Sequence, residues 1–145
     1  MRRVSEVMTH GVEVISPQAS LQEAAQLMDL LNVGALPVCE GRKLVGMITD
    51  RDITVRAIAT GLIPNDTAVS EVMTEHTRWC YDDQTTDEVL QQMSDVQIRR
   101  MPVLNDQDEL VGIVSLGDLA TREPEGIGQL LRDISSPSEP DRSAL

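Results

Sequence analysis

The sequence has almost no aromatic residues: it lacks phenylalanine and contains one tryptophan and one tyrosine among 145 residues. Apolar residues nonetheless make up 41% of the chain. The core must therefore be built from Val, Leu, Ile, Met and Ala, which pack densely without ring contacts. A chain of this length forms one compact unit or two small ones pressed together, and it leaves no room for a large catalytic domain with accessories.

Basic residues are also scarce, with 12 Lys and Arg against 24 Asp and Glu and a net charge of −12. This charge disfavours nucleic acid and anionic membrane surfaces as partners, because both require a cationic footprint. No apolar run approaches the roughly 20 residues of a membrane span, and the N-terminus lacks the apolar stretch of a signal peptide. We therefore expect a cytoplasmic protein with no membrane partner.

The two cysteines, Cys39 and Cys80, are too few for a disulfide framework. A small buried thiol is the common situation for such residues. The alternative is a thiol- or zinc-responsive protein that uses both cysteines with His10 and His76. The last histidine lies four residues before Cys80, but this segment also fits a turn that leads into a strand, so the spacing alone does not predict a metal site.

The segment VSEVMT occurs twice, at residues 4–9 and 69–74, and the similarity continues at the same offset of 65 residues. Ser20 matches Thr85 and Glu23 matches Glu88, so each copy has an S/T-x-x-E capping box that announces a helix. The apolar residues behind each box recur every three or four positions, which predicts an amphipathic helix in both copies.

Two short apolar runs follow each helix and predict strands. Ala35 to Cys39 and Arg100 to Leu104 each contain a proline, which suits the start or edge of a strand. After a polar turn, Leu44-Val45-Gly46 matches Leu110-Val111-Gly112, now at an offset of 66 residues because the second turn is one residue longer. These matches predict that each copy contains a pair of adjacent strands.

A first strand at about Val12 to Ile15 or Arg78 to Tyr81, and a second helix near Asp50 or Leu116, complete a β-α-β-β-α unit in each copy. Such a unit exposes an apolar sheet face that it cannot cover alone, so we expect the two copies to pack sheet to sheet. VSEVMT would then lead each half into its first strand. The predicted divisions are repeat 1 (residues 1–62), repeat 2 (63–122), and a short helix over Ile127 to Ile134 with a mobile tail (123–145).

Both copies end their strand pair with the pattern G-h-h-[ST]-x-x-D, where h is an apolar residue. In the first copy the polar positions are Thr49 and Asp52, and in the second they are Ser115 and Asp118. The plain interpretation is a capping box that satisfies free backbone N–H groups at a helix start. Because the pattern recurs in both halves, it also forms part of a larger set of motifs that the two copies share.

Taken in order, these motifs resemble a pair of CBS domains, also called a Bateman module. The resemblance covers about residues 4 to 120. It combines Met8-Thr9 and Met73-Thr74, the capped helix, Leu36-Pro37-Val38 and Met101-Pro102-Val103, and the L-V-G-h-h-[ST]-x-x-D pattern. The short stand-alone architecture, the stretch from Thr49 to Ile53 and the following stretch from Ala59 to Pro64 resemble the hypoxic response protein type within this family.

The resemblance implies an α/β fold of tandem CBS repeats packed sheet to sheet with a pseudo-twofold axis. It also implies a regulatory ligand, AMP, ADP, ATP or another adenosyl compound such as S-adenosylmethionine, in the cleft between the repeats. Asp52 and Asp118 would accept hydrogen bonds from the ribose hydroxyls. Thr49 and Ser115 would bond ribose or phosphate at the helix start.

The resemblance further places Thr9, Val33 and Gly34 opposite Asp118, and Thr74, Ile98 and Arg99 opposite Asp52. Arg99 and Arg100 occupy positions where nucleotide-binding members often carry a basic residue for the phosphates, whereas the first copy has Gly34 and Ala35 there. The two cavities should therefore differ, although a solvated arginine pair is the plain alternative. Arg51 is a further candidate for the phosphates. Candidates for an adenine slot are Val14, Ile15, Cys80 and Tyr81.

The sequence contains no Ser-His-Asp set in a plausible context, no P-loop and no strong His/Cys cluster. We therefore expect that the protein is not an enzyme and has no catalytic cofactor. The leading hypothesis is a nucleotide-responsive regulatory module that acts in trans on an unknown effector protein. The resemblance also suggests a homodimer of modules. The alternatives are a ligand-free stress or structural dimer, in which the Ser/Thr-x-x-Asp elements are only caps, and the thiol- or zinc-responsive protein.

Overall fold

The computed structural model describes residues 2–96 and 98–122 and divides into two compact units. We call residues 13–77 the central unit, and residues 2–12 together with residues 78–122 the terminal unit. The short helix and tail predicted after residue 122 lie outside the described residues. The predicted repeat boundaries follow sequence similarity rather than compactness, and they stay a prediction.

Four α-helices, six strands and a π-helix are named here in chain order. The α-helices are α1 (Val4–Val7), α2 (Leu21–Leu31), α3 (Thr86–Val96) and α4 (Leu116–Arg122). The strands are β1 (Thr9–His10), β2 (Ala35–Glu40), β3 (Lys43–Thr49), β4 (Cys80–Tyr81), β5 (Arg100–Leu104) and β6 (Leu110–Ser115). The π-helix spans Asp52–Ile58, and 3₁₀ turns span Pro64–Asp66 and Val69–Glu71.

The terminal unit is built on a four-stranded sheet in the order β1-β6-β5-β4. Strand β6 is antiparallel to both β1 and β5, and β4 is parallel to β5. The buried side chains of this unit form one aliphatic cluster, in which each fully buried Val, Leu, Ile or Met contributes about 1.5–3 kcal/mol. The cluster consists of Val4, Val7, Met8, Cys80, Val89, Leu90, Met93, Met101, Val103, Val114 and Leu119.

The central unit repeats this arrangement with fewer strands. Strands β2 and β3 form an antiparallel pair, and single bridges join Ile15 to Val38 and Met47 to Thr74. These bridges stand where β4 and β1 stand in the terminal unit. The core of the central unit consists of Ile15, Leu21, Ala24, Met28, Leu36, Val38, Ile48, Ala57, Val69 and Val72.

Both predicted capping boxes are confirmed. At α2, the Glu23 backbone N–H donates to Ser20 Oγ and the Ser20 N–H donates to the Glu23 carboxylate, each at 3.1 Å. At α3, Glu88 and Thr85 make the same exchange at 3.2 and 3.4 Å. Hydrogen bonds from the Gln84 side chain and from Thr85 lower the pKa of the Glu88 carboxyl.

The predicted first strands are shorter than expected. In the first copy only Ile15 makes a bridge, through hydrogen bonds of 3.0 Å from its N–H to Pro37 O and from the Cys39 N–H to its carbonyl. The chain then turns, with the Ala19 N–H bonded to Ser16 O at 3.1 Å. This turn ends the extended segment, so the expected strand from Val12 does not form a ladder. In the second copy only Cys80 and Tyr81 are paired.

The two VSEVMT segments, which we call the first lead-in (residues 4–9) and the second lead-in (residues 69–74), each pack with strands of the other copy. The first lies in the terminal unit, where Thr9 is opposite Ile113 of β6. The second lies in the central unit, where Thr74 exchanges backbone hydrogen bonds of 2.8 and 3.0 Å with Met47 of β3. Each lead-in therefore completes the sheet of the copy that it does not precede.

Two glycines make room for these contacts. A Cβ on Gly112 would lie 2.6 Å from the Thr9 carbonyl oxygen, and a Cβ on Gly46 would lie 2.7 Å from the Thr74 carbonyl oxygen. Real Cβ atoms do not approach backbone oxygen this closely, so any larger residue would displace the lead-in. The glycine of each L-V-G motif is thus explained by the backbone that crosses it.

No helix among residues 2–96 and 98–122 combines the length and the apolar character needed to cross a membrane. The cytoplasmic location stays a prediction.

Candidate functional site

The two Ser/Thr-x-x-Asp motifs have the same geometry at the ends of β3 and β6. In the central unit, the Thr49 N–H donates to Asp52 Oδ2 and the Asp52 N–H donates to Thr49 Oγ1, each at 3.0 Å. In the terminal unit, Ser115 and Asp118 make the same two bonds at 2.9 and 3.0 Å. Each pair therefore forms a cap at the end of its strand. The cap uses only one of the two carboxylate oxygens of the aspartate.

The two carboxylates differ in burial and in neighbours. Asp52 is buried, with 5% exposure, whereas Asp118 is half-buried. The second oxygen of Asp52, Oδ1, lies 3.7 Å from Arg56 Nε. Within residues 2–96 and 98–122, Asp118 Oδ1 accepts no hydrogen bond. Asp118 is therefore the more accessible acceptor, and Asp52 is the one already facing a cation.

The helices that follow the two caps also differ. After Asp52 the backbone hydrogen bonds span five residues, with the Ala59 N–H donating to Thr54 O and the Leu62 N–H to Ala57 O, both at 2.9 Å. This is a π-helix, a rare form that is frequent at functional sites. Asp118 lies in the first turn of an ordinary α-helix, α4.

In the central unit, the segment before β2 is held against the cap. The Asp50 N–H donates to the Gly34 carbonyl at 2.9 Å, and a Cβ on Gly34 would lie 3.0 Å from Asp50 Oδ2. Val33 is 39% exposed, and the second lead-in brings Thr74 beside β3. The predicted site residues that this unit holds are Val33, Gly34, Thr49, Asp52 and Thr74.

In the terminal unit, the Leu116 N–H donates to the Arg99 carbonyl at 2.7 Å, and Arg100 lies opposite Ser115 in the sheet. Both arginine side chains are exposed. Within the described residues neither guanidinium forms a hydrogen bond or an ion pair. The predicted site residues that this unit holds are Thr9, Ile98, Arg99, Arg100, Ser115 and Asp118.

Thr9 belongs to the same unit as Asp118, and Thr74 belongs to the same unit as Asp52. That either pair shares a ligand site stays a prediction. The other implied pairings, of Val33 and Gly34 with Asp118 and of Ile98 and Arg99 with Asp52, join residues of different units and stay predictions.

Of the four residues proposed for an adenine slot, Ile15 and Cys80 are buried in the two cores, with 7% and 1% exposure. They contribute to packing. Val14 and Tyr81 are each 37% exposed, and the Tyr81 hydroxyl donates to Asp108 at 3.0 Å. Only these two offer surface to a ligand.

Sequence reasoning missed two features of the site region. Arg56 faces Asp52 through an i, i+4 spacing, a signal that was present in the sequence. Trp79 is 46% exposed and adjoins β4, which suits contact with a flat ring as well as Tyr81 does. The equivalent residue in the first copy is Val14, so the repeat gave no signal for an aromatic side chain at this position.

The cysteines are buried thiols. Burial raises the pKa of Cys39 to about 11. Burial, with the negative charge of Asp82, raises that of Cys80 to about 12. The Cys80 thiol lies 3.8 Å from the Pro102 carbonyl. His10 and His76 are exposed, the former with Nε2 3.0 Å from Ser5 O. Across the described part of the chain, no three His, Cys, Asp or Glu side chains come together in a way that could hold a metal ion.

The sequence and the fold both resemble known proteins. A family model described as CBS domain matches residues 4–57 and 69–125. The CBS domain-containing protein YhcV of Bacillus subtilis is 44% identical over 137 residues, which cover 93% of this chain and 96% of YhcV. Hypoxic response protein 1 of Mycobacterium tuberculosis is 36% identical over 139 residues, covering 94% of this chain and 96% of the relative.

Two solved structures show the same fold. The crystal structure of hypoxic response protein I with two coordinated zinc ions matches with a TM-score of 0.77 and 35% identity, over 85% of this chain and all 100% of the other. The crystal structure of CBSX2 in complex with AMP matches with a TM-score of 0.71, over 83% of this chain and 95% of CBSX2. At 22% identity, the second likeness shows the fold alone.

Proposed function

Because this chain belongs to the CBS domain family, with one match in each half, we propose that it is a regulatory module that binds an adenine nucleotide. The family membership confirms the resemblance inferred from the sequence, and solved structures of CBS domain proteins confirm the mixed α/β fold class. AMP, ADP and ATP are the candidate ligands. The ligand is regulatory, and the module acts in trans on an effector protein.

One observation carries this proposal: the capped carboxylate occurs in both units and keeps one oxygen free of the cap. A ribose diol has two hydroxyl donors, and an ionised carboxylate is an acceptor that forms strong hydrogen bonds with them. Asp118 Oδ1, half-buried and without a hydrogen bond among the described residues, is the best placed acceptor.

The phosphates are assigned to Arg99 and Arg100. Their exposed guanidiniums lie at the start of β5, and the Arg99 carbonyl is bonded to the first residue of α4, two residues before Asp118 is reached. Planar guanidinium donors match phosphate oxygens well. At the equivalent place the central unit has Gly34 beside the Asp50 carboxylate, which repels phosphate. In place of the pairing of Arg99 with Asp52 that the resemblance implies, we assign ligands with more phosphates to the terminal unit, which holds Arg99, Arg100 and Asp118, and AMP or uncharged adenosyl ligands to Asp52.

The solved neighbours support different ligands. CBSX2 has been crystallised with AMP, which supports an adenine nucleotide only at the level of the fold. The crystal structure of hypoxic response protein I contains zinc, which keeps a zinc-responsive protein as the second candidate. The described residues of this chain offer no cluster of three metal ligands, and both cysteines are buried with raised pKa values. The nucleotide is therefore favoured.

We also propose that two copies of the chain associate through the central unit. Its exposed apolar side chains include Leu30, Ile58 and Ile63, which are 80%, 52% and 60% exposed. Exposed groups of large aliphatic residues are typical of association surfaces. A ligand that binds one arrangement of the dimer more tightly would shift the population towards it and so change what an effector protein can contact.

A thermal-shift and calorimetry screen across AMP, ADP, ATP, NAD and S-adenosylmethionine tests the proposal. A ligand at about 100 times its Kd should stabilise the fold by about 2.7 kcal/mol. We expect Asp118→Asn to remove most of the response to ATP while leaving the ligand-free melting temperature little changed, because Asn keeps an oxygen that can accept from the Ser115 N–H. The double variant Arg99→Ala and Arg100→Ala should weaken the binding of ATP more than the binding of AMP.

Asp106→Asn is the matched control, since Asp106 is an exposed carboxylate of the same unit in the turn before β6. It should leave nucleotide binding unchanged. If no adenosyl ligand changes the melting temperature and Zn²⁺ raises it, the regulatory ligand is zinc and not a nucleotide. A flat response to both would favour the ligand-free structural dimer, whose Ser/Thr-x-x-Asp motifs are caps only.

A further inference from the structure

Arg56 joins two parts of the central unit that are distant in sequence. Its Nε lies 3.7 Å from Asp52 Oδ1, and its Nη1 donates to the Val72 carbonyl oxygen at 3.4 Å. Val72 lies in the second lead-in and is 3% exposed. One guanidinium therefore connects the candidate ribose acceptor to the segment that completes the sheet of this unit.

The backbone amide of Thr74 is hydrogen-bonded to β3, so its exchange with solvent can be used to measure how firmly the second lead-in is attached to the sheet. The Thr74 N–H donates to Met47 O at 2.8 Å, and the Met47 N–H donates back to Thr74 O at 3.0 Å. These two bonds form the only described bridge between the lead-in and β3. Because Val72 is two residues away from Thr74, whatever holds the Val72 carbonyl also restrains this bridge.

The two contacts of Arg56 have different strengths. Asp52 is buried, with a side chain 7% exposed, so its charge attracts the guanidinium through a medium less polar than water. The Arg56 side chain is 39% exposed, and its bond to Val72 is long for a hydrogen bond. The position of Arg56 is thus set mainly by Asp52. We therefore expect a change at Asp52 Oδ1 to reach Val72 through Arg56.

We propose that Arg56 is a positioning residue that couples occupancy of Asp52 to the attachment of the second lead-in. The inference rests on the proposed function, because it takes the hydroxyl donors of a nucleotide as the groups that reach Asp52 Oδ1. When those donors engage the carboxylate, Asp52 is fixed, the guanidinium beside it loses freedom, and the lead-in is held more firmly against β3. The site thereby regulates a segment of the backbone.

The π-helix is compatible with this role. Asp52 and Arg56 both belong to it, whereas the helix after the cap of the terminal unit is an α-helix. The helix also packs Ala57 into the core, so the backbone around Arg56 is anchored while the side chain reaches across to Val72. Such a combination allows the side chain to respond to a ligand without movement of the helix.

The first arm of the test uses the ligand-free protein and measures the exchange rate of the Thr74 amide by NMR. Arg56→Met and Asp52→Asn should each speed this exchange about fivefold, which is the lower end of measured couplings between sites. The double variant should exchange no faster than either single one, because both substitutions break the same chain of contacts. Arg56→Lys, which keeps the charge, should restore part of the protection.

Lys43→Met is the matched control. Lys43 is an exposed cation of the same unit at the start of β3, and its removal changes the net charge equally. It should leave Thr74 exchange unchanged. Additive effects of Arg56→Met and Asp52→Asn, or an equal effect of Lys43→Met, would show that Arg56 does not transmit between Asp52 and the lead-in.

The second arm adds AMP at saturation, with binding measured in parallel by calorimetry. In the unsubstituted protein AMP should slow Thr74 exchange about fivefold. In Arg56→Met, AMP should still bind, but Thr74 exchange should no longer respond. Retention of the response in this variant overturns the coupling. Loss of AMP binding in this variant overturns it too, since Arg56 would then contact the ligand itself.

The two arms separate this inference from the proposed function. If AMP does not bind the unsubstituted protein, the proposed function fails, and with it the coupling to a nucleotide, whatever the ligand-free arm gives. If AMP binds and Asp52→Asn abolishes binding at this unit, but the ligand-free double variant is additive, the proposed function stands and the role of Arg56 is rejected.

Discussion

Thr49 and Asp52 in the central unit make the same two backbone hydrogen bonds as Ser115 and Asp118 in the terminal unit, at 2.9 to 3.0 Å in every case. The surroundings of the two carboxylates differ. Asp52 is buried, begins a π-helix and faces Arg56, whereas Asp118 is half-buried and lies in an α-helix. The same hydrogen-bonded cap therefore holds one carboxylate beside a cation and the other without one among the described residues.

This comparison separates what backbone hydrogen bonds require from what side chains add. The cap and the strand pair recur in both units because each satisfies backbone N–H and C=O groups. The glycine beneath the lead-in recurs because the crossing backbone leaves no room for a Cβ. The residues at equivalent places diverge where the backbone does not constrain them, as with Gly34 and Arg99. The two units should thus share a fold and differ in the ligands that they prefer.

The largest expected effect comes from filling the space under each lead-in. Gly112→Ala places a Cβ 2.6 Å from Thr9 O and 2.8 Å from Met8 Sδ, and Gly46→Ala places one 2.7 Å from Thr74 O and 3.0 Å from Met73 Sδ. Urea unfolding should show a loss of about 3 kcal/mol for Gly112→Ala and a somewhat smaller loss for Gly46→Ala, because the crossing backbone must move.

Gly117→Ala is the control for these two variants. A Cβ on Gly117 would meet only Ser115 Oγ, at 3.6 Å, and the residue lies within α4. Alanine should therefore stabilise the protein by about 0.5 kcal/mol. Equal stability of all three variants would mean that the lead-ins do not press on the glycines, and the parallel between the units would be lost.

The second effect concerns the buried thiols, one in each core. The pKa is raised from 9.0 to about 11 in Cys39 and to about 12 in Cys80. Below pH 9 each thiol is protonated in both the folded and the unfolded state, so its ionisation does not affect the free energy of unfolding there. Above this pH the unfolded state loses its proton first, and stability should fall by up to about 1.4 kcal/mol per pH unit for each thiol.

Unfolding titrations between pH 8 and about pH 12 measure this slope. Cys39→Ala and Cys80→Ala should each flatten it relative to the unsubstituted protein, and the difference for Cys80 should persist to a higher pH. Slopes that are unchanged by both substitutions would contradict the burial of the thiols. The constant offset from the smaller side chain does not enter the comparison, because it does not vary with pH.

The smallest effect compares two equivalent core positions at the start of α2 and α3. Leu21 is fully buried in the central unit, and Thr86, with 1% exposure, takes its place in the terminal unit. The Thr86 hydroxyl has no hydrogen-bond partner among the described residues. Thr86→Val should therefore raise the free energy of unfolding by about 1 kcal/mol, as measured in urea. A loss of stability instead would indicate that the hydroxyl is bonded.

The elements formed by local interactions were predictable. Ser20 and Glu23 are three residues apart, as are Thr49 and Asp52, so their hydrogen bonds can be inferred from spacing alone. The strands before and after each polar turn were also predicted, since their partners adjoin them in the chain. The expected strand from Val12 to Ile15 was wrong in length, because its extent depends on a partner, Val38, that is far away in sequence.

The candidate site was predicted in part for the same reason. The duplicated motif identified both carboxylates, and the i, i+4 spacing of Asp52 and Arg56 is a local signal that predicts their contact on a helix. The contact of Arg56 with Val72 spans 16 residues and follows from the packing of the second lead-in, which no local pattern encodes. The exposure of Arg99 and Arg100 likewise depends on the sheet around them.

The sequence by itself determined the duplication, the capped helices, the strand pairs and the family, because each depends on residues that are near in the chain or on the order of motifs. Only the tertiary structure decided that each lead-in completes the sheet of the other copy, and that Gly46 and Gly112 lie beneath it. The reason is physical. Both copies carry the identical lead-in VSEVMT and an L-V-G strand, so the local pattern does not choose between the possible pairings, which join segments that are far apart in the chain.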